Sequence, residues 1–393
     1  MPGGRTEVVM IHETLSQNIK SYRKVKGMTQ LQLADALYVA PQTISKWESG
    51  ISEPDTEKLC AMADIFGVSL DSLVRVPTEP GKKALIAIDG GGTKTDFVLF
   101  NESGEILQKL SLGGTNPNAY GLEKAQAVLA EGIDRLLAAG VEIIGLYAGI
   151  SGASVGENKE RLQGFLKDRY PFLKSRVEGD IYNVINSAGE MKKCIGVISG
   201  TGSVVYGYDG QMLHRAGGWG YLFDDAGSGF DMGRDLFRYC LACEDGTAEK
   251  TELYDRVSQA VGGVIFDHLS IIYAKGKDYI ASFTPLIFEY YLKGDQTALK
   301  IVEKTVDRLA ELITRINHTC DCGNVVVLSG GIASAKDIIK PLLRARIDGG
   351  LRIIIPEMPP IFGAAIRCIK LYHGEYDGEA FERNFREMLK KQD

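Results

Sequence analysis

The sequence predicts an all-α domain at the N-terminus, followed by a pair of α/β domains that share one topology. Two changes of pattern lead to this prediction. Apolar residues recur every three to four positions up to residue 74, and strand-like runs begin at residue 84. The strand-and-turn pattern that opens the α/β part then occurs a second time from residue 194, which indicates an internal duplication.

Length and composition agree with this division. The chain has 393 residues, of which 45% are apolar and 24% charged, with a net charge of −6. At roughly 150 residues per domain, such a chain forms two to three domains. No apolar stretch approaches the roughly 18 residues of a membrane span, and the N-terminus lacks the apolar core of a secretory signal. We therefore expect a cytoplasmic protein with no membrane partner.

Helical repeats fill the first part of the chain. After a disordered tail over residues 1–10, apolar positions recur at helical spacing over residues 11–74, with glycines and prolines between short segments. Residues 75–83, RVPTEPGKK, contain two prolines and a glycine without an apolar period, which is typical of a linker. This part predicts a bundle of four or five short helices.

Strand patterns dominate from residue 84. ALIAID, TDFVLF and ILQKLSL predict a three-stranded antiparallel meander, and CIGVISGTGS, VVYGY and QMLHRAGG predict a second one. Helices and single strands follow each meander. We divide this part into subdomain I over residues 84–188 and subdomain II over residues 189–373, followed by a C-terminal tail over residues 374–393.

Seven scattered cysteines fit a reducing compartment, in which free and mostly buried thiols are the usual state. Cys240 and Cys243 form a C-x-x-C pair, and Cys320 and Cys322 form a C-x-C pair. A metal site built from both pairs is the less favoured interpretation.

Residues 29–54 have the pattern of two helices joined by a tight turn. Thr29 is placed to cap the first helix, and Pro41 stands at the first position of the second, where its missing N–H costs no hydrogen bond. Ile44 and Trp47 would face the core. The outward positions of the second helix are then Gln42, Thr43, Ser45 and Lys46.

This segment resembles the Xre/Cro family of repressor domains along its full length. The matching positions are Thr29, Gln30, Leu33, Ala34, Leu37, Val39, Ile44, Ser45, Trp47, Glu48, Gly50 and Pro54. The resemblance implies a helix-turn-helix whose second helix enters the major groove of a double-stranded DNA operator, with Gln30 and the four outward residues as candidate contacts. Such domains usually bind as dimers, so we expect a homodimer. The alternative is a helical module that serves only dimerisation.

Charge supports the DNA-binding interpretation. Between residues 20 and 46, five cations face Asp35 alone, which gives this segment a net charge of +4. Between residues 47 and 80, seven acids face two cations, which gives −5. One basic and one acidic side would orient the domain on DNA.

Three glycine-rich turns each follow a predicted strand. They are DGGGTKT at residues 89–95, SGTGS at 199–203 and LSGG at 328–331. Glycines allow backbone N–H groups to converge on an anion without interference from side chains. The first two turns are therefore candidates for holding a triphosphate between two domains. The alternative is a glycine-rich structural fold that binds no nucleotide.

Together these motifs resemble the actin/hexokinase superfamily, with its duplicated ribonuclease H-like fold, over about residues 84–373. Within that superfamily they resemble the N-acetylglucosamine kinases and the BadF/BadG/BcrA/BcrD ATPases. The resemblance implies ATP and Mg²⁺ as cofactors, with Asp89 holding Mg²⁺ through water. It implies further nucleotide contacts at Gly91, Gly92, Thr93, Lys94, Thr95, Ser199, Gly200, Thr201, Gly202, Ser203, Ser329, Gly330 and Gly331.

The amino-sugar kinase pattern continues in GGTN at residues 113–116, GD at 179–180 and GGWGYLFDDAGS at 217–228. By this resemblance, Asp180 takes the proton from a sugar hydroxyl as that hydroxyl attacks the γ-phosphate. The alternative role for Asp180 is to cap the helix that follows it.

The same resemblance implies that Asn116, Trp219 and Asp225 contact an amino sugar. Trp219 has an alternative role, because it could simply fill the core. The chain departs from the kinase pattern at Val204, where the mammalian amino-sugar kinases carry asparagine. The identity of the sugar therefore stays open.

The fusion predicts a transcriptional regulator whose kinase-like part acts as a sensor, as an ATP-dependent sugar kinase, or as both. One alternative is a metabolic N-acetylhexosamine kinase or ATPase with an accessory helix-turn-helix module. Another is a sugar sensor without turnover. The redox role of the related dehydratase activases is the weakest alternative, because none of the cysteines lies in the glycine-flanked context of their iron–sulfur cluster.

Overall fold

The computed structural model describes residues 15–20, 22–24, 26–66, 68, 70–74, 83–137, 139, 141–189, 193–374 and 376–392. The predicted tail over residues 1–10, and all but the last residue of the predicted linker over 75–83, lie outside these residues. The chain divides into two compact units: unit 1 is Met1–Asn183 with Ala364–Asp393, and unit 2 is Val184–Gly363.

Short helices joined by tight turns form the N-terminal domain, as predicted. Residues 15–20 and 22–24 are helical, and four helices follow: α1 Gln30–Leu37, α2 Pro41–Glu48, α3 Thr56–Phe66 and α4 Leu70–Val74. Thr29 caps α1 in a reciprocal capping box with Gln32, and Pro41 begins α2. Ile44 and Trp47 are buried in the core of this domain.

A five-stranded mixed sheet lies at the centre of unit 1. Its strands are β1 Lys83–Gly90, β2 Lys94–Asn101, β3 Ile106–Gly113, β4 Glu142–Ile150 and β5 Ser175–Gly179, in the order β3-β2-β1-β4-β5. The first three strands form the predicted antiparallel meander, and β4 and β5 continue the sheet in parallel with β1. Its helices are α5 Pro117–Tyr120, α6 Leu122–Leu137, α7 Asn158–Arg169 and α8 Ile181–Ser187, which crosses into unit 2.

Unit 2 repeats this topology, which confirms the predicted duplication. Its strands are β6 Cys194–Ser199, β7 Ser203–Tyr208, β8 Leu213–Ala216, β9 Val325–Ser329 and β10 Arg352–Ile354, in the order β8-β7-β6-β9-β10. A meander again precedes two parallel strands. Its helices are α9 Gly229–Glu244, α10 Glu252–Val261, α11 Leu269–Ala281, α12 Thr284–Leu292, α13 Gln296–Thr319 and α14 Lys336–Arg344, with 3₁₀ turns at Phe266–His268 and Gly331–Ala335.

One segment of unit 2, Glu252–Ala281, has the length and mean hydropathy of a membrane span, a property that we did not expect from the sequence. Several features interrupt it as a helix. Gly262 and Gly263 have positive φ angles after α10, and Gly276 breaks α11 with a φ of 70° and a ψ of −162°. A continuous helix is what a span requires, since lipid cannot satisfy freed backbone groups. The length and composition of this segment are therefore weak support for a membrane helix.

The C-terminus differs from the prediction. Residues 374–393 were expected to be a tail, but helix α16, Gly378–Gln392, occupies most of them. Its Phe381 and Phe385 pack edge-on against Phe100 of β2, which gives the helix a buried face. Helix α15, Pro360–Tyr372, was assigned to subdomain II, yet its residues from Ala364 onward belong to unit 1.

Candidate functional site

The first glycine turn connects β1 to β2 in unit 1. The N–H of Gly91 donates to the carbonyl of Lys94 at 2.9 Å, which closes the turn. A Cβ atom on Gly90 would lie 2.3 Å from Thr115 Oγ1, so no side chain fits there. At the exposed Gly92 a Cβ atom would meet nothing within 4 Å, so the surface of the turn is open to a ligand.

The predicted phosphate contacts of this turn fall into two groups. Gly92, Thr93 and Lys94 are exposed, and Lys94 Nζ pairs with Asp96 Oδ2 at 2.8 Å. Thr95 is fully buried, and its hydroxyl bonds to that of Thr115 at 2.9 Å. In the described conformation the Thr95 side chain anchors the turn.

Asp89, the penultimate residue of β1, has a half-buried carboxylate that is held by a residue that the sequence did not indicate. Asn183 Nδ2 donates to Asp89 Oδ1 at 2.6 Å and lies 3.2 Å from the carbonyl of Gly149. Asn183 is fully buried, and its Oδ1 has no hydrogen-bond partner among the described residues. A Cβ atom on Gly149 would lie 2.0 Å from Asn183 Oδ1, so β4 must carry glycine at this position.

The electrostatics of Asp89 favour a bound cation. Burial raises its pKa to about 7, the hydrogen bond from Asn183 opposes this rise, and the negative charges of Asp180 and Asp96 add to it. A carboxylate kept from water among other carboxylates is the kind of hard oxygen ligand that Mg²⁺ prefers. The donor set therefore fits the implied metal, with Asp89 as the residue that would hold it.

Asp180 lies between β5 and α8 and is half-buried. Its backbone carbonyl accepts from the N–H of Asn183 at 2.9 Å in the first turn of α8. One turn of helix therefore carries both Asp180 and the residue that holds Asp89. The sequence could not indicate this link, because it depends on the pairing of β1, β4 and β5.

Asn116 caps α5 and belongs to a polar group next to β4. Its Oδ1 accepts from the N–H of Asn118 at 2.9 Å, and its Nδ2 reaches Ser151 Oγ at 3.3 Å. Asn158 Nδ2 donates to Asn118 Oδ1 at 3.0 Å and to the carbonyl of Gly152 at 3.1 Å. Asn118, Ser151 and Asn158 are polar neighbours of Asn116 that sequence reasoning missed.

The second glycine turn lies in unit 2 against the N-terminus of α9. The N–H of Gly229 donates to the carbonyl of Gly200 at 2.8 Å, and that of Phe230 donates to the carbonyl of Thr201 at 3.1 Å. Within residues 193–374 and the other described ranges, the N–H groups of Thr201 and Gly202 make no hydrogen bond. The turn thus directs its carbonyls toward the helix and keeps two donors for a ligand.

The flanking serines of this turn have structural partners. Ser199 Oγ donates to the carbonyl of Gly227 at 2.7 Å, and Ser203 Oγ donates to that of Ala226 at 2.6 Å. Both serines are buried. Like Thr95, both serines anchor their turn through the side-chain hydroxyl.

The third glycine motif packs against the second. A Cβ atom on Gly330, whose φ is 103°, would lie 2.4 Å from the carbonyl oxygen of Ser199. A Cβ atom on Gly331, which begins a 3₁₀ turn, would lie 4.0 Å from the Cα atom of Gly200. Ser329, Gly330 and Gly331 therefore lie next to the second turn.

Asp225 is buried beside the second turn. A Cβ atom on Gly202 would lie 3.3 Å from both carboxylate oxygens of Asp225. Burial raises the pKa of Asp225, while the positive charge of Lys277 and a hydrogen bond from the Ser203 backbone lower it. Asp225 is thus close to where a phosphate would bind, and Lys277 is a nearby cation that the sequence did not indicate.

Trp219 is exposed, so it does not fill the core, and the alternative that we considered for it is wrong. Its side chain is 62% exposed, and the Arg215 guanidinium stacks over its ring at 4.5 Å. The neighbouring Tyr221, Leu222 and Phe223 are also exposed. This loop presents an apolar surface of the kind on which a sugar ring can stack.

Four of the five proposed DNA-contacting residues lie on α2, and Gln30 begins α1. On α2, Gln42, Ser45 and Lys46 are exposed, whereas Thr43 is half-buried. Gln30 is directed inward, because its Nε2 donates to Glu48 Oε2 at 2.8 Å.

The predicted charge of this domain needs one correction. Arg23 was counted with the basic side, but it is buried and pairs with both carboxylate oxygens of Glu48. It also donates to the carbonyl of Met28 at 2.7 Å. Arg23 therefore stabilises the domain, and the basic surface rests on the lysines.

The cysteines also differ from the prediction. Cys194, Cys240, Cys243 and Cys368 are buried free thiols, as expected, whereas Cys60 is exposed and free. Cys320 and Cys322 form a disulfide. Among the described residues, no metal-binding group combines this pair with Cys240 and Cys243, so the joint site is not formed.

Comparison with known proteins gives two matches along the chain. Residues 86–367 match the BadF/BadG/BcrA/BcrD ATPase family, and residues 19–73 match a helix-turn-helix family. An N-acetylmuramic acid/N-acetylglucosamine kinase of Clostridium acetobutylicum is 29% identical over 72% of this chain and 97% of its own length.

Two other proteins extend the comparison. The HTH-type transcriptional activator BcrR of Enterococcus faecalis is 41% identical over 15% of this chain and 29% of its own length. The crystal structure of a Porphyromonas gingivalis protein proposed to be an N-acetylglucosamine kinase aligns with a TM-score of 0.60, at 19% identity, over 74% of this chain and 99% of its own. At that identity the likeness shows the fold alone, which is the predicted actin/hexokinase-like fold.

Proposed function

The chain belongs to the BadF/BadG/BcrA/BcrD ATPase family, and from this premise we propose that it is a DNA-binding transcriptional regulator that phosphorylates an amino sugar with ATP. It contains a helix-turn-helix domain fused to an N-acetylglucosamine kinase-like domain. The observation that carries the proposal is the arrangement of Asp89, Asn183 and Asp180 beside an open glycine turn. That arrangement has the parts that phosphoryl transfer needs.

In the proposed reaction, Asp180 accepts the proton of a sugar hydroxyl while that oxygen forms a bond to the γ-phosphorus of ATP. The bond between the γ-phosphorus and the bridging oxygen breaks, and ADP leaves with the electron pair. A carboxylate is suited to this role because it is needed only as the hydroxyl becomes nucleophilic. Asp89 would hold Mg²⁺ through water, and the ion would neutralise phosphate charge as it develops.

Each glycine turn is proposed to be a phosphate-binding loop of its own unit. In unit 2 the N–H groups of Thr201 and Gly202 are the candidate donors. In unit 1 the exposed Gly92, Thr93 and Lys94 are the candidate contacts. The packing of Gly330 on Ser199 supports an adenosine contact next to the second turn.

The proposed substrate is an N-acetylated amino sugar. The relative from Clostridium acetobutylicum is a kinase for N-acetylmuramic acid and N-acetylglucosamine. Asn116 with its polar neighbours offers amide groups for sugar hydroxyls, and the exposed Trp219 offers a ring face. Within unit 1 we propose Asn116 as a sugar contact, and within unit 2 we propose Trp219 and Asp225.

The regulatory part of the proposal rests on α2. Gln42, Thr43, Ser45 and Lys46 would read an operator in the major groove, with two domains of a cytoplasmic homodimer on two half-sites. Two other functions remain as outcomes of the test. They are a metabolic kinase with an accessory DNA-binding module and a sugar sensor without turnover.

One screen separates these functions. A panel of amino sugars is incubated with the full chain and ATP, and both ADP release and thermal stabilisation are recorded. A sugar that causes both effects supports a kinase, and one that stabilises without ADP release indicates a silent sensor. If no amino sugar or ATP analogue stabilises the protein, the proposal is wrong.

A further inference from the structure

A group of metal-binding side chains lies in unit 2, away from the glycine turns. It consists of Asp209, His214 and Cys320, whose ligand atoms lie within 4.8 Å of one another. Cys322 joins it through its disulfide to Cys320. We call these four residues the Cys₂HisAsp cluster. Neither the proposed kinase nor the proposed DNA-binding site uses it.

Three elements build this cluster. Asp209 lies in the turn between β7 and β8, and His214 follows on β8. Cys320 is the C-cap of α13. The N–H of Cys322 donates to the carbonyl of Cys320 at 2.9 Å, and this tight turn places the two sulfur atoms on one side. Residues that are more than 100 positions apart in the sequence therefore meet at one point.

The surrounding backbone is shaped around the two sulfur atoms. On β7, a Cβ atom at Gly207 would lie 2.3 Å from Cys322 Sγ and 3.1 Å from Cys320 Sγ. Any other residue at 207 would displace the sulfurs, so glycine is required for this arrangement. The two cysteines are thus buried against the sheet, whereas His214 and Asp209 are half-exposed.

The histidine and the aspartate are already paired. His214 Nε2 lies 2.8 Å from Asp209 Oδ2, and Asp209 Oδ1 accepts from the N–H groups of Gln211 and Met212 at 2.8 Å each. In tetrahedral zinc sites, Zn–N and Zn–O bonds of about 2.0–2.2 Å separate such N and O atoms by about 3.3 Å. An ion could therefore enter between these two atoms after a movement of about half an ångström.

We propose that, in its reduced form, the Cys₂HisAsp cluster binds one Zn²⁺ ion tetrahedrally through Cys320, Cys322, His214 and Asp209. Two thiolates with an imidazole and a carboxylate are the ligand types and number that structural zinc sites use. The disulfide is the oxidised, metal-free state of the same residues. This site is independent of the proposed kinase activity.

Conversion between the two states is a balanced two-electron step. A phosphine reductant attacks one sulfur, and after water adds, the disulfide becomes two thiols while the phosphine becomes its oxide. Zn²⁺ then replaces the two thiol protons, which are released to solvent. Bound zinc would tie the β7–β8 turn to the segment that leads into β9, and β9 carries Ser329 to the second glycine turn.

The test measures zinc bound by the full chain. Protein reduced with a phosphine is loaded with ZnCl₂, passed over a gel filtration column with a weak chelator, and analysed for zinc per chain. Loading with CoCl₂ gives a second readout, because tetrahedral cobalt with thiolate ligands has strong visible absorption. We expect one ion per chain in the wild type.

Variants assign the ligands. Cys320→Ser and Cys322→Ser should lose the ion, and His214→Gln should lose most of it. Cys60→Ser, which replaces an exposed free thiol elsewhere, is the matched control and should keep it. Circular dichroism of each variant checks that the fold is retained.

Two results would overturn the proposal. One is a reduced, folded wild type that binds no more zinc or cobalt than Cys320→Ser does. The other is zinc binding that survives in both cysteine variants, which would place the metal elsewhere. Because neither measurement involves ATP or sugar, they give an answer whether or not the kinase proposal holds.

Discussion

Replacing Asp89 with asparagine should stabilise unit 1 at alkaline pH when Mg²⁺ is absent. The Asp89 carboxyl has a pKa of about 7 in the folded protein, against an ordinary value of 3.8, because of burial and the nearby charges of Asp180 and Asp96. Since the folded protein binds this proton more tightly than the unfolded chain does, the carboxyl lowers stability as the pH rises from about 4 to 7. Above pH 7 the penalty is complete.

The magnitude follows from the two pKa values. A difference of about 3 pKa units at about 1.4 kcal/mol each corresponds to about 4 kcal/mol at pH 8, and to about 2 kcal/mol at pH 5. An asparagine side chain at this position would keep an oxygen to accept the hydrogen bond from Asn183, so the substitution removes the charge without removing the contact. Asp89→Asn should therefore gain stability, with a larger gain at pH 8 than at pH 5.

Hydrogen–deuterium exchange of peptides from β1 and β4 measures this difference in the full chain with a chelator present. At pH 8 these amides should exchange on the order of 1000-fold more slowly in Asp89→Asn than in the wild type. Asp168→Asn, at an exposed carboxyl on α7, is the matched control and should change nothing. Equal exchange at pH 8, or a gain that increases toward acidic pH, would refute the reasoning.

Four other predictions test the remaining parts. Gly92→Ala should weaken ATP binding at least about tenfold, because the added methyl occupies space that is open to the phosphate. It should not lower stability, because the methyl meets nothing in the free protein. Calorimetry measures affinity and stability, Gly164→Ala on α7 is the control, and an unchanged ATP affinity would exclude the turn as a phosphate site. Asp180→Asn should abolish sugar phosphorylation and leave ATP binding nearly intact, since a base acts on turnover; normal turnover in a coupled ADP assay would exclude it as the base. Glu48→Ala should destabilise the N-terminal domain by about 3–5 kcal/mol, because it leaves the buried Arg23 without its ion-pair partner. A urea titration followed by Trp47 emission measures this, and a decrease in unfolding free energy of less than about 1 kcal/mol would count against it. Sugar with a non-hydrolysable ATP analogue should change operator affinity by a coupling of roughly 1–3 kcal/mol; equal affinities at one salt concentration would show that the two functions are uncoupled.

The elements that the sequence predicted well are those set by local chemistry. Thr29 with Gln32 and Pro41 specify where α1 and α2 begin, because a cap and an N1 proline act within one turn of helix. The two meanders follow from alternating patterns and tight turns, which also act over short distances.

Helix α16 is a different case, because its signal was present and was missed. Phe381, Phe385 and Leu389 recur every four residues and are all buried. That stripe is narrow and lies among charged residues, so it looked like a solvated tail. A period of four over three turns is nevertheless enough to predict a helix with one buried edge.

The parts that could not be predicted depend on tertiary pairing. Asn183 has a role in the site only because β4 places Gly149 beside it and β1 places Asp89 within hydrogen-bond distance. Arg23 was counted among the cations of the basic side, and only its pairing with Glu48 shows that its role is structural. The Cys₂HisAsp cluster likewise unites residues from two distant segments, which no spacing rule connects.

The positions of the two tryptophans make the unlabelled protein its own optical reporter. Trp47 is 5% exposed in the core of the DNA-binding domain, whereas Trp219 is 62% exposed under the Arg215 guanidinium. Iodide in solution can collide only with an accessible indole, so it should quench the long-wavelength emission of Trp219 and spare the shorter-wavelength emission of Trp47. One spectrum with quencher would thus report separately on the surroundings of Trp219 and on the integrity of the DNA-binding domain, without a dye or a tag.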